Sequence, residues 1–169
     1  NWFGRPLWNE PCGMVDAFMA GVQLWRLTGD PEPLEIAHGT YFSGLGYGQR
    51  PNGGFGCDCC PGPATPFLAP YADIFEAWWC CTMRGGEGLS RAIEYGHFAD
   101  DESLVLPFYN DATVRASFPD GDLTLVQRSR YPYTGEVLLE VTASSLREAK
   151  ALHLFVPAFG GEPRLSVTV

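Results

Sequence analysis

The chain has 169 residues, 46% of them hydrophobic and 18% charged, a composition that folds and excludes disorder as the main state. Twenty Asp and Glu against eleven Lys and Arg leave a net charge of −9 with no basic stripe, so nucleic acid is not an expected partner. No apolar run approaches the roughly 20 residues that cross a bilayer, so no membrane partner is expected either, and the opening Asn1-Trp2-Phe3 reads as a piece cut from something longer.

The first half is patterned for helices. Met14, Val15, Phe18, Met19, Val22 and Trp25 recur at intervals of three and four, and Gly29 follows Thr28 where a helix C-terminus takes glycine. Asp30-Pro31 then reads as an N-cap followed by Pro at the first helical position, and Leu34, Ala37, Tyr41, Phe42 and Leu45 continue the period of a second helix. The two are expected to form an antiparallel hairpin. From residue 46 to 70 the composition turns to Gly, Pro and Asn around Gly53-Gly54-Phe55-Gly56-Cys57-Asp58-Cys59-Cys60-Pro61, which predicts a long loop; loops of this length are commonly functional or tied down by a crosslink or metal. Helical pattern returns weakly over Tyr71–Trp79 and clearly from Arg84 to Tyr95, with Thr82 as the expected N-cap.

Beyond Asp100-Asp101 the period shortens to two. Six strands are predicted, at Leu104–Tyr109, Thr113–Phe118, Leu123–Arg128, Val137–Thr142, Leu152–Val156 and Leu165–Val169, separated by Asn110-Asp111, Pro119-Asp120-Gly121 and Thr134-Gly135. The expected class is therefore α+β: a helical part over residues 1–99, with its Gly/Pro/Cys loop at 46–70, and an incomplete antiparallel β-sandwich over 100–169.

Six cysteines stand at positions 12, 57, 59, 60, 80 and 81. Adjacent pairs are poor disulfide staples, because neighbours close a strained ring and almost no loop, while the spacing is not that of a zinc finger. Cys12 follows Glu10 at the start of the first helix, and Cys80-Cys81 precede another. If these two helix starts converge, Glu10, Cys12, Cys80 and Cys81 supply one carboxylate and three sulfurs, a natural tetrahedral shell for Zn²⁺, against the plainer reading of buried core cysteines. Helix N-termini, with Arg84 close by, are also expected to favour the thiolate forms.

Asn9-Glu10-Pro11-Cys12-Gly13, a helix ending in Leu27-Thr28-Gly29-Asp30, Trp79-Cys80-Cys81-Thr82-Met83-Arg84-Gly85 opening another, and strands around Leu106-Pro107-Phe108-Tyr109-Asn110 together resemble the β-L-arabinofuranosidase family, glycoside hydrolase family 127 and relatives. The resemblance implies an (α/α)₆ barrel followed by β-sandwich strands. It implies one zinc at Glu10, Cys12, Cys80 and Cys81, with Cys80 as the nucleophile of a retaining glycosidase, and a general acid upstream of residue 1. Cys57, Cys59 and Cys60 remain the alternative metal or nucleophile set, since family members carry the pair inside a similar Cys-x-Cys-Cys-Pro run.

Trp78 and Trp79 adjoin the expected nucleophile and either stack on a furanose ring or pack in the core, and Arg84, the cation expected nearest the thiols, joins them as the expected substrate-binding set. Glu87 either reaches the site or caps the helix. His38 and His97 are expected at the surface or at helix ends, with a substrate contact as the alternative for either, and His153 facing solvent from a strand. The expected activity is zinc-dependent hydrolysis of β-L-arabinofuranosides or related sugars, with a carbohydrate as substrate and the rest of the polypeptide, or an oligomer partner, completing the fold; the isolated piece is expected to be inactive. The rival expectations are a non-catalytic structural zinc or carbohydrate-binding protein and a redox sensor. Zinc thiolates need reducing conditions or metal saturation, which points to the cytoplasm.

Overall fold

The computed structural model describes residues 7–56, 58–60, 69–70, 79–158, 161–162 and 164–166. The chain is α+β and divides into two compact units, Asn1–Ile93 and Glu94–Val169.

The first unit begins with a short strand, β1 (Leu7–Asn9), and passes through Glu10 into helix α1 (Pro11–Thr28). Pro11 sits in the first turn, where its missing N–H costs nothing. The helix stops at Gly29, which takes the left-handed conformation (φ 72°) and returns its N–H to Trp25 O at 2.7 Å, as the sequence predicts. Val15, Phe18 and Val22 are fully buried on one face. Each such side chain contributes about 1.5–3 kcal/mol by leaving water.

The N-cap of the next helix is Pro31, one residue later than the predicted Asp30, because the Pro31 carbonyl accepts the first helical bond from Glu35 N–H; Asp30 accepts the Glu32 N–H at 3.0 Å from just outside the helix. Helix α2 (Glu32–Gly39) then runs without a break through a π-helical stretch, Thr40–Leu45, into the last helical turn α3 (Gly46–Gly48). The π turn inserts an extra residue, which lets Leu34, Ala37, His38, Gly44 and Leu45 all reach the interior. Tyr41 stacks on Phe18 of α1 with ring centroids 5.3 Å apart. His38, expected at the surface, is 1% exposed and faces Phe42; the helix period alone places it beside Leu34 on the buried side.

The stretch predicted as one long loop is partly sheet. Strand β2 (Asp58–Cys60) lies between β1 and β3 (Ala69–Pro70), antiparallel to both, with Trp8 opposite Cys59 and Asn9 opposite Asp58. Local composition announced turns; only the long-range partner β1 makes the strand. Helix α4 (Trp79–Glu94) starts earlier than Thr82, so Thr82 is inside the helix and not its N-cap. The predicted helical pattern of 71–79 falls, up to residue 78, outside the described residues.

In the second unit, β6 (Ala112–Phe118), β7 (Gly121–Ser129) and β8 (Val137–Ser144) form an antiparallel meander. Along β6 exposed and buried residues alternate, and Val114, Ala116 and Phe118 join Leu104, Leu106 and Leu125 in one apolar cluster. A second sheet pairs β4 (Phe98–Ala99) with β5 (Ser103–Leu106) and β5 with β9 (Ala151–Leu154). The β5–β9 pairing is parallel, a departure from the all-antiparallel expectation that strand spacing could not foretell, because β9 returns after the whole meander. Five of the six predicted strands are present. Of the sixth, residues 165–166 have no regular structure and 167–169 fall outside the described residues. His153 is exposed on β9, as expected.

Candidate metal centre

Two helix starts meet in the first unit. Cys12 is in the first turn of α1, and Cys80 and Cys81 are in the first turn of α4. Their three sulfurs all lie within 4.8 Å of one another, and Cys80 Sγ and Cys81 Sγ are 3.8 Å apart. All three residues are thiols, with Cys80 exposed, Cys12 half-buried and Cys81 buried.

The packing that brings them together comes from a stripe of small residues on α4. Cys81, Gly85, Gly88 and Ala92 are buried on one face, at the spacing of successive helical turns. A Cβ on Gly85 would stand 2.2 Å from the Phe55 ring, and one on Gly88 would stand 2.6 Å from Val15 of α1. Absence of side chains there lets α4 approach close enough for Cys81 to join Val15, Leu45 and Phe55 in the core, with Cys12, Met19 and Tyr41 packed against it. Thr82, freed from the capping role, brackets the backbone of Phe55: its hydroxyl accepts the Phe55 N–H at 3.1 Å and donates to the Phe55 carbonyl at 3.3 Å. Sequence reasoning does not single out Phe55 or the small-residue stripe, although the run Cys81-x-x-x-Gly85-x-x-Gly88 is legible as a helix face.

Geometry fits a thiophilic ion. With zinc–sulfur bonds of about 2.3 Å in a tetrahedral shell, ligand sulfurs stand about 3.8 Å apart. The Cys80–Cys81 separation has that value without adjustment. Electrostatics runs against the thiolate expectation at Cys12: burial pushes its thiol up first, and the hydrogen bond and charge of Cys80 and the charge of Glu10 add to this, against a smaller lowering by a hydrogen bond from Cys81. Burial, the neighbouring Cys80 and the Glu10 carboxylate together favour the neutral thiol. A bound dication reverses that balance, because it holds coordinating thiols deprotonated.

Glu10 precedes α1 with extended backbone and is exposed; its carboxylate is not one of the clustered ligand atoms, though its charge is felt at Cys12. Arg84 is 29% exposed and donates one guanidinium nitrogen to Asp16 of α1 and the other to Glu87 of its own helix. Glu87 therefore partners Arg84. Trp78, the Trp79 side chain and Cys57 lie outside the described residues, and Cys59 and Cys60 are described by backbone alone, as the strand paired with Leu7 and Trp8. His97, half-buried just past α4, has its basicity lowered by burial.

By sequence the chain matches no family model and no curated protein. By structure it is similar to solved enzymes. A glycoside hydrolase matches 91% of the chain at a TM-score of 0.70 and 21% identity, a GH127 β-arabinofuranosidase 89% at 0.63 and 19%, and a GH127 β-L-arabinofuranosidase from Geobacillus stearothermophilus T6 89% at 0.64 and 16%. The chain spans about a quarter of the length of each, covering 27%, 23% and 25% of them respectively. The chain thus folds like one part of these glycoside hydrolases, in accord with the resemblance carried by its motifs.

Proposed function

We propose that this chain carries the metal and nucleophile portion of a retaining glycoside hydrolase acting on β-L-arabinofuranosides or related sugars, its helices belonging to an (α/α)₆ barrel that the rest of the polypeptide completes. The observation that carries the reading is the convergence of three sulfurs from two helix starts, within 4.8 Å of one another, in a fold shared with GH127 enzymes. Glu10, Cys12, Cys80 and Cys81 are the proposed ligands, with Glu10 turning inward from its exposed position beside Cys12.

Zinc, when bound, would keep the cysteines deprotonated and their shell compact. Cys80 is the proposed nucleophile because it alone of the three is exposed, while Cys81 is locked in the core. Its sulfur attacks the anomeric carbon, a carbon–sulfur bond forms as the glycosidic carbon–oxygen bond breaks, and a carboxylic acid protonates the departing oxygen. Water then releases the sugar with net retention, in the pattern of two successive displacements. Trp79 flanks Cys80 in sequence and is the proposed stacking surface for a sugar ring, together with Trp78. Thiols that must stay reduced suit a reducing compartment.

The test is metal content of the reduced protein, by mass spectrometry, for wild type, Cys80→Ser and Cys59→Ser. One zinc per chain, lost with Cys80→Ser and kept with Cys59→Ser, is the expected result. Zinc lost only with Cys59→Ser moves the site to the 57–60 segment, and a folded wild type without zinc removes the mechanism. A structural zinc site is distinguished by iodoacetamide: selective alkylation of Cys80 at full metal occupancy marks a nucleophile, uniform protection a closed site.

A further inference from the structure

The ion pair between Asp16 and Arg84 joins the two helices that carry the sulfurs, and its place in the two helices is matched. Asp16 is four residues after Cys12 on α1, and Arg84 is four after Cys80 and three after Cys81 on α4. Residues at those offsets share a helix face one turn apart. The planar guanidinium uses both of its terminal nitrogens, Nη2 toward Asp16 across the interface and Nη1 toward Glu87 on its own helix. Glu87 therefore fixes the direction from which Arg84 reaches α1. Two carboxylates around one guanidinium also leave the trio with net negative charge, so it does not act as the cation that activates the thiols.

We infer that Asp16 and Arg84 are positioning residues: the pair sets the relative rotation of α1 and α4 one turn below the cysteines and so holds Cys12 within bonding reach of Cys80 and Cys81. The inference rests on the zinc reading for its functional meaning, and on geometry alone for its mechanical content. Small size of the effect is part of it. A partly exposed pair changes an equilibrium by roughly two- to fivefold, enough to tune a metal site whose backbone frame is set elsewhere by Phe55, Gly85 and Gly88.

Two measurements on the reduced protein test it, for wild type, Asp16→Asn, Arg84→Ala, Arg84→Lys and the exchanged pair Asp16→Arg with Arg84→Asp. One is zinc affinity by competition with a chromophoric chelator. The other needs no metal: the rate at which diamide, taking two electrons and two protons from a thiol pair, joins Cys12 to Cys80 or Cys81, read by peptide mapping. Arg84→Ala and Asp16→Asn are expected to weaken zinc binding and slow that disulfide by roughly two- to fivefold each, with Arg84→Lys in between because an ammonium has no fork. The exchanged pair is expected to recover at least half of both losses, since Arg at 16 faces two acids on α4. Single variants at wild-type values, or an exchange no better than either single, overturn the inference. Where a single variant loses helical circular dichroism, the exchange decides. A wild type that takes up no zinc removes the proposed function, and the disulfide rates still decide the positioning role.

Discussion

At the turn between β6 and β7, Asp120 shows how one carboxylate can tie its turn to a distant segment, residues 147–150. Its Oδ2 accepts the backbone N–H groups of Arg147 and Glu148 at 3.1 and 2.9 Å, and its Oδ1 pairs with Lys150 Nζ at 2.9 Å. Lys150 also stands 5.6 Å over the Phe118 ring. The Lys150 hydrogen bond, with those two N–H groups, holds the Asp120 carboxyl down to about 2 against a partial opposing effect of burial. Because the folded value lies below the ordinary 3.8, the stabilisation is complete above that value and is lost as the pH falls toward 2. Asp120→Asn is therefore expected to flatten the loss of sheet circular dichroism over that acid range while lowering stability at pH 7; an unchanged acid limb would show that other carboxylates control it. Thr82 makes a comparable point in the first unit. Thr82→Val removes the bracket on Phe55 and leaves its N–H without that acceptor, an expected cost of about 1–3 kcal/mol in thermal unfolding, with Thr82→Ser close to wild type.

At the scale of elements, the face of α4 that approaches Phe55 and Val15 decides whether the cysteines can meet. Gly85→Ala would drive a methyl group into the Phe55 ring, and overpacking of that kind costs about 1–3 kcal/mol or more. Gly86, its neighbour, is exposed, and a methyl group there would meet nothing within 4 Å, so Gly86→Ala should stabilise the helix by about 0.5–1 kcal/mol. Opposite shifts in the melting temperature of these adjacent variants are the expected result, and shifts of the same sign would show that α4 is not seated as described. The start of α2 lies one residue later than Asp30-Pro31 suggests, whereas helix α1 was legible, because period, Pro11 and Gly29 all agree. The start of α4 was not: a Thr before an apolar run looks like a cap, and only the partner segment at Phe55 shows the hydroxyl employed elsewhere. Strand β2 was hidden by the same cause, since Asp58-Cys59-Cys60 has no strand pattern of its own and depends on β1, about 50 residues away in sequence.

For the whole molecule, the three clustered cysteines, at the starts of α1 and α4, all belong to the first unit. A ligand that binds only the folded state stabilises it by about 2.7 kcal/mol at a hundred times its dissociation constant. Chelation is accordingly expected to raise amide hydrogen exchange in the first turns of α1 and α4 and to leave β6, β7 and β8 unchanged. Exchange that rises equally in the meander would mean that the metal supports the whole chain, and none anywhere would mean that the sulfurs hold no ion. Among the described residues no helix is long and apolar enough to cross a membrane.

The sequence by itself determined the helix-then-strand order, the ends of α1 and five strands, because periodicity and capping are local properties of the chain; its family resemblance implied the set Glu10, Cys12, Cys80 and Cys81, of which the three sulfurs lie together. Tertiary structure alone decided that β9 runs parallel to β5, that Thr82 clasps Phe55, and that Arg84 is held between Asp16 and Glu87. Each of those depends on a partner distant in sequence, or on which face of an element turns inward, and such choices are made by packing.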